Sequence, residues 1–248
     1  LKRFRNVFTF AYKRYTDLAN AEAQAMEAKI EASLEKVRNV ALGMKQSDHL
    51  LEIVQALYEQ LLELGFTDIR NALIDVNNED DETFMDYDYS HEMGGTVTKM
   101  SYSDDPTLEE QLRVIATTTD GFSEMILKGQ QLKDLIEMRR KNGEADDPRL
   151  ENTDSISYIL YAFGNGAIGI SNFGVLNDTQ KAILDRFRNV FIFAYQRYND
   201  LAHTEEQAAA LLAENSQRAT ETLFEQLSGA DFLLHDRRRG KAFAIALC

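Results

Sequence analysis

The chain opens on LKRFRNVFTFAYKRYTDLANAEAQA and, about 180 residues later, reads LDRFRNVFIFAYQRYNDLAHTEEQA. About 18 of the 25 aligned positions are identical. Neither chance nor shared helix propensity produces that, so the segment is a repeated unit of structure. The fold must then begin and end on the same element. The expected organisation is a piece of a tandem array, holding the tail of one unit, one full unit and the start of the next.

The repeat carries apolar residues at alternating steps of three and four: Leu1, Phe4, Phe8, Ala11, Tyr15 and Leu18. This is the seam spacing of a coiled coil. Beyond DLANAE the seam shifts by about one residue and resumes at Ala23, Met26, Ile30, Val37, Val40 and Met44. Such a shift locally changes supercoil winding. Residues 1 to about 45 are therefore expected as one long helix. A lone helix of that length has little to hold it, so pairing between chains is expected in preference to packing on its own domain. The expected dimer residues are Phe4, Phe8, Tyr15 and Leu18 in the first copy and Phe187, Phe191, Tyr198 and Leu201 in the second.

Between the copies, Ser47 or Asp48 is placed to cap a helix with an apolar stripe at Leu50, Ile53, Val54, Leu57, Leu61 and Leu64, ended by Gly65. Ile69–Val76 and Thr83–Tyr89, around the polar NNEDDE, read as an antiparallel hairpin, and Thr96–Ser103 as a third strand. Asp105-Pro106 starts a largely helical stretch to about residue 142, broken around Thr117–Gly121, followed by loop to Thr153. Ser155–Phe163 and Ala167–Phe173 are two further strands joined at Gly164-Asn-Gly166. Asn177 and Gln180 form an amide capping box opening the second long helix. Strand pairs joined by turns, with helices at the ends, predict an α+β domain whose antiparallel sheet is covered mainly on one face.

Composition restricts the partners. A net charge of −14 repels nucleic acid phosphates and anionic lipid, so neither nucleic acid nor membrane is an expected partner; the basic run Arg237–Lys241 is read as a local feature. The single cysteine, Cys248, excludes an intrachain disulfide and a cysteine-rich zinc site. No run of about 18 apolar residues occurs, and a reducing cytoplasmic setting is expected.

Chemistry-bearing motifs are thin. Gly164–Gly169 spells GxGxxG, but it lies between two strands, where a dinucleotide site needs a strand followed by a helix. His91-Glu92 begins a zinc-protease pattern whose second histidine is replaced by Gly95. The four histidines are scattered, and no metal is expected. Asn77–Glu82 lacks the glycine and the ligand alternation of a calcium loop. No nucleophile elbow appears, and the chain is expected not to be an enzyme. What remains is an aromatic lining. Tyr87 and Tyr89 share one strand face, and Tyr161 and Phe163 share another. Such stripes are more often core than ligand box. A ligand, if one binds, is expected between these residues, Arg70 and the 104–153 insert, since polar tips beside apolar walls orient small molecules.

The element order, with GAIGISNFG followed by a capped amphipathic helix and with the linker AEAQAMEAKIEASLEKVRNVALGMKQSDHL over residues 21–50, resembles the GAF-like repeat unit of bacterial multidomain sensor proteins. The resemblance covers about residues 1–207 and is most specific over Glu22–Leu50 and Phe187–Leu201. Residues 104–153 match only in length and character, and after GADFLLHD the sequence departs from the pattern. The resemblance implies a six-stranded or similar antiparallel sheet, a pocket between sheet and insert, and flanking helices paired in a parallel homodimer. It also implies neighbouring domains that end in an output such as a histidine kinase of a two-component system or a nucleotide cyclase. The bilin-attachment cysteine within the domain and the cyclic-nucleotide signature are both missing, and axial haem ligation would need His91, so no cofactor is expected. The expected layout is a linker helix over 1–46, the GAF-like domain over 47–183, the second linker helix over 184–226 and an atypical tail over 227–248. Two functions fit: a sensory relay module acting through dimeric helices, and a ligand-free dimerisation scaffold or spacer.

Overall fold

In the computed structural model, described residues are 2–44, 49–78, 81–104, 115, 121–143 and 147–235. Side chains of Tyr198, Leu201 and 225–235 fall outside that description, as do Ser47, Asp48, the Asp105-Pro106 start, Arg237–Lys241 and Cys248. The chain divides into two units, Leu1–Tyr198 and Asn199–Cys248.

Helix α1 runs Lys2–Leu42 and α2 runs Leu50–Glu63. His49 holds the N-cap position of α2 without a side-chain cap. Its other end closes as the sequence requires. Gly65 takes φ +91°, the Phe66 amide donates to the Leu61 carbonyl (3.1 Å) and the Gly65 amide to that of Leu62 (3.0 Å). This left-handed closure satisfies carbonyls the helix leaves open, and it folds Phe66 back into the core.

The strands are β1 (Ile69–Asn78), β2 (Thr83–Ser90), β3 (Gly94–Ser101), β4 (Phe122–Lys128), β5 (Ser155–Ala162) and β6 (Gly166–Asn172). They form one antiparallel sheet in the order β3-β2-β1-β6-β5-β4. The GxGxxG run is a hairpin: at Gly166 an added Cβ would lie 1.9 Å from the Asp75 carbonyl oxygen, so only glycine fits beside β1 there. Helix α3 (Gln130–Lys141) follows β4, and α4 runs Asp178–His235. The capping box at its start is reciprocal, with Asn177 N–H to Gln180 Oε1 at 3.1 Å and Gln180 N–H to Asn177 Oδ1 at 2.9 Å.

Two expectations need correction. Residues 122–128 are strand rather than helix; among the described residues β4 pairs with β5 alone, and although its side chains alternate between exposed and more covered, the apolar Phe122 and Ile126 stand on the exposed side, so FSEMILK shows no apolar–polar alternation. The sheet is also covered on both faces. One face, with Ala72, Ile74, Tyr87, Ile159, Ile168 and Ile170, packs on α2, the second half of α1 and the start of α4. The other, with Leu73, Phe84, Ile156, Tyr158 and Leu160, packs on α3 and the segment around Leu150.

The two copies of the repeat have opposite fates. In α4, Phe187 and Phe191 are 0% exposed against the sheet, whereas in α1 Phe4 and Phe8 are 80% and 66% exposed, and Tyr15 and Leu18 are exposed as well. Expected dimer contacts at Phe187 and Phe191 are thus core residues of their own domain. The second half of α1 is likewise held by its own domain, through Ile30, Leu34, Val37, Ala41 and Met44. Arg186 on α4 adds a double ion pair to Glu27 and Glu31 (2.8 and 2.6 Å).

Candidate functional site: a buried arginine clamp between insert and sheet

The five residues expected to line a ligand site do not converge. Tyr87, Tyr89, Tyr161 and Phe163 belong to the helix-covered face, opposite α3 and the segment around Leu150, and of the insert's residues Phe122 on β4 meets the Tyr161 ring at 4.9 Å. Tyr89 meets the Tyr58 ring edge-on at 5.6 Å, and His91 sits against both rings with Nε2 3.3 Å from Glu59. Phe163 meets the rings of Phe191 (4.9 Å) and Tyr195 (5.0 Å). The Tyr161 hydroxyl donates to the Lys181 carbonyl at 2.9 Å, and the Arg188 guanidinium lies 5.4 Å over its ring. Burial, with the Asp185 charge adding to it, pushes the Tyr161 phenol up to about 12. The tyrosines share the strand faces their alternation assigns, but helices α2 and α4 occupy the space a ligand would need.

Arg70 is the exception, and the register explains it. The β1–β6 pairing shifts between Ile69 and Asn71. The irregularity leaves Ile69 and Ala72 in the helix-side core while Arg70 and Asn71 both reach groups on the insert side. Arg70 is fully buried and its Nε donates to Asp147 Oδ2 at 3.1 Å. Asp147 caps the 3-10 turn Pro148–Asn152 by accepting the Arg149 amide. It also receives the Arg149 guanidinium through Nε (3.0 Å) and Nη2 (2.9 Å). Burial alone would raise the Asp147 pKa, but the Arg149 hydrogen bonds and the charges of Arg149 and Arg70 outweigh it and hold the carboxyl below its ordinary value. Arg149 in turn donates to the Arg70 carbonyl (2.8 Å), pairs with Glu92 (2.9 Å) and covers the Phe173 ring at 5.2 Å.

A second clamp lies on β2, one strand in from the edge of the sheet. Asp86 and Asp88 alternate with Tyr87 and Tyr89 along β2, so the face opposite the tyrosines carries carboxylates. Helix α3 delivers Arg139 onto them, Nη2 standing 3.0 Å from Asp86 Oδ2 and 2.6 Å from Asp88 Oδ2, all three side chains buried. Asp88 also accepts from the Asn71 amide, and the Ser171 hydroxyl donates to Asn71 Oδ1. A continuous hydrogen-bonded run therefore crosses from α3 through β2 and β1 to β6, and α4 begins six residues beyond the end of β6. Ion pairs this well buried contribute little net stability, but removing one partner costs about 3–5 kcal/mol.

Sequence reasoning missed Arg139, Asp86, Asp88, Asp147 and Arg149. Arg139 sits in the run Arg-Arg-Lys141, which reads as a solvated basic helix end. The available signal was the acidic–aromatic alternation of Met85–Tyr89: if the aromatics are core, the carboxylates face whatever covers the other side. Among the described residues no group of His, Cys, Asp and Glu is arranged to hold a metal ion, and no described helix is long and apolar enough to cross a membrane. Compared with protein-family models and with curated proteins, the chain matches none.

Proposed function

We propose that the chain is a non-catalytic, GAF-like relay module of a larger cytoplasmic signalling protein. A signal from a small molecule or a neighbouring domain is taken up at the insert and passed along α4 to an output domain, in a dimer of parallel flanking helices. The observation that carries this reading is the run Arg139–Asp88–Asn71–Ser171. It ties the insert helix to the strand that leads into α4, and a buried ionic network held by one guanidinium has two discrete states, made and broken. The six-stranded sheet, the helical layer on one face and the insert on the other support the GAF-like part of the reading. Since Phe187 and Phe191 are committed to the domain core, pairing is assigned to the exposed later part of α4, where Leu211, Leu212, Leu223 and Phe224 face solvent.

The scaffold reading is favoured by a different observation. Leu132, Leu135, Met138, Tyr158 and Leu160 pack together between sheet and insert, in the space a ligand would use. Amide hydrogen exchange on the intact chain separates the two. In Arg139→Met, compared with an Ile53→Ala variant matched for global stability, relay predicts faster exchange in α3, in β6 and in residues 178–195. Faster exchange confined to α3 and the Pro148–Asn152 turn supports the scaffold and discards the relay.

A further inference from the structure

The exposed face of the first repeat copy has an identified counterpart inside this same chain. Within the repeat, α4 buries six residues on its sheet: Leu184, Phe187, Val190, Phe191, Ala194 and Tyr195. All six recur unchanged in the first copy, at Leu1, Phe4, Val7, Phe8, Ala11 and Tyr12. Where the copies differ, at Asp185, Ile192, Gln196, Asn199 and Thr204 among the described side chains, the α4 residue lies outside the buried set. The side of α1 that would face a sheet is thus chemically the same as the side of α4 that does, yet Phe4, Val7, Phe8 and Tyr12 are exposed. An apolar surface of this kind, continuous along about three helical turns, marks a binding face.

We infer that the first half of α1 docks on the helix-side face of another six-stranded sheet of the same kind, as that sheet's own last core helix. The occupant is fixed by what covers the second copy. The receiving face is built like the one here, with isoleucines on its central strands and an aromatic residue where Phe163 meets Phe191 and Tyr195. Arg3 stands where Arg186 stands, and it takes acidic partners on the long helix entering that other unit, as Arg186 takes Glu27 and Glu31. One rigid helix then belongs to two cores. Its first turns lie in one domain, and Ile30 to Met44 lie in the next. Phe8 and Ile30 are 22 residues apart, about 33 Å along the axis, so a rotation or shift of the helix in one core is delivered to the other. This inference rests on the repeat and its burial, and it stands or falls independently of the Arg139 relay.

The test uses a fluorescent peptide of residues 1–25 and the full chain carrying Phe187→Ala and Phe191→Ala, which loosens α4 and frees its sheet. Expected is saturable binding to the loosened chain and none to the parent, whose sheet is already covered. Phe4→Ala and Phe8→Ala in the peptide should weaken binding by about tenfold or more. Phe10→Ala should leave it unchanged, because its counterpart Phe193 is exposed. No binding to a folded, loosened chain overturns the inference, and so does equal binding to the parent, which would mean helix pairing. Should the loosened chain fail to fold, the deciding variant is a full chain whose residues 184–208 are changed to the sequence of residues 1–25. A melting temperature close to the parent's supports the inference. A chain that cannot fold with the first-copy sequence in α4's place overturns it.

Discussion

Phe191 and Phe8 are the same residue of the same repeat, so truncating each in turn isolates environment from sequence. Phe191 is completely buried, with its ring 4.9 Å from that of Phe163 and 5.4 Å from that of Tyr195. Phe191→Ala removes the buried ring and leaves a cavity that the stacked aromatics cannot close, a loss of about 3–5 kcal/mol. Two ring–ring contacts disappear with it, which places the value in the upper part of that range. For a chain of this size each kcal/mol lowers the melting temperature by about 2–4 °C, so a fall of about 10 °C or more is expected. Phe8 has nothing packed over most of its surface. Phe8→Ala in the isolated chain should change stability by less than about 0.5 kcal/mol. The assay is urea unfolding followed by far-ultraviolet circular dichroism, with thermal melts alongside. Equal losses at the two positions would refute the reasoning, since they would mean that both copies are buried.

Three further outcomes follow from the structure. Tyr161 has its pKa raised, so its contribution is complete below the ordinary value of 10 and is lost as pH rises through about 12; a loss of about 2–3 kcal/mol over that window, absent in Tyr161→Phe, is expected in unfolding titrations. The Asp147 pKa is lowered, so its contribution is present above the ordinary 3.8 and disappears as pH falls through the lower folded value; amide exchange over Pro148–Asn152 should accelerate there in the parent, while Asp147→Asn should be loose at every pH. Gly65 holds φ +91° in the closure of α2, so Gly65→Ala should cost about 1 kcal/mol by the same unfolding assay although its Cβ would meet nothing.

What the sequence made legible follows local periodicity. The β1–β2 and β5–β6 hairpins, the apolar stripe of α2 and the Asn177–Gln180 capping box are each set by residues close in the chain, and they stand where the pattern places them. Strand β4 was not legible because its partner β5 lies about thirty residues on and because Phe122 and Ile126 stand on its exposed side, so apolar and polar residues do not alternate along FSEMILK. The faces of Tyr87, Tyr89, Tyr161 and Phe163 were half legible: alternation says which residues share a face, but not which layer covers it. The repeat was half legible for a related reason: both long helices stand where the pattern places them, but Phe187 and Phe191 face the sheet. A helix packed on a sheet through Leu184, Phe187, Phe191 and Ala194 uses the same three-and-four spacing as a coiled-coil seam. The ring volumes at those positions suit a flat sheet better than a narrow seam, and that was the one local sign of the difference. The alternation along β2 hints that Asp88 faces a covering layer, but Arg139, brought to it from 51 residues away, carries no local sign of that partner.

Hydroxyl-radical footprinting of the intact chain, read residue by residue by mass spectrometry, tests the unequal burial of the two repeat copies most directly. Phe8 and Tyr12 should be oxidised at close to the rate of free side chains, and Phe191 and Tyr195 at least about tenfold more slowly. Matching protection of both pairs would contradict the account, because it would put the first-copy aromatics beneath a surface that this chain's own fold already provides.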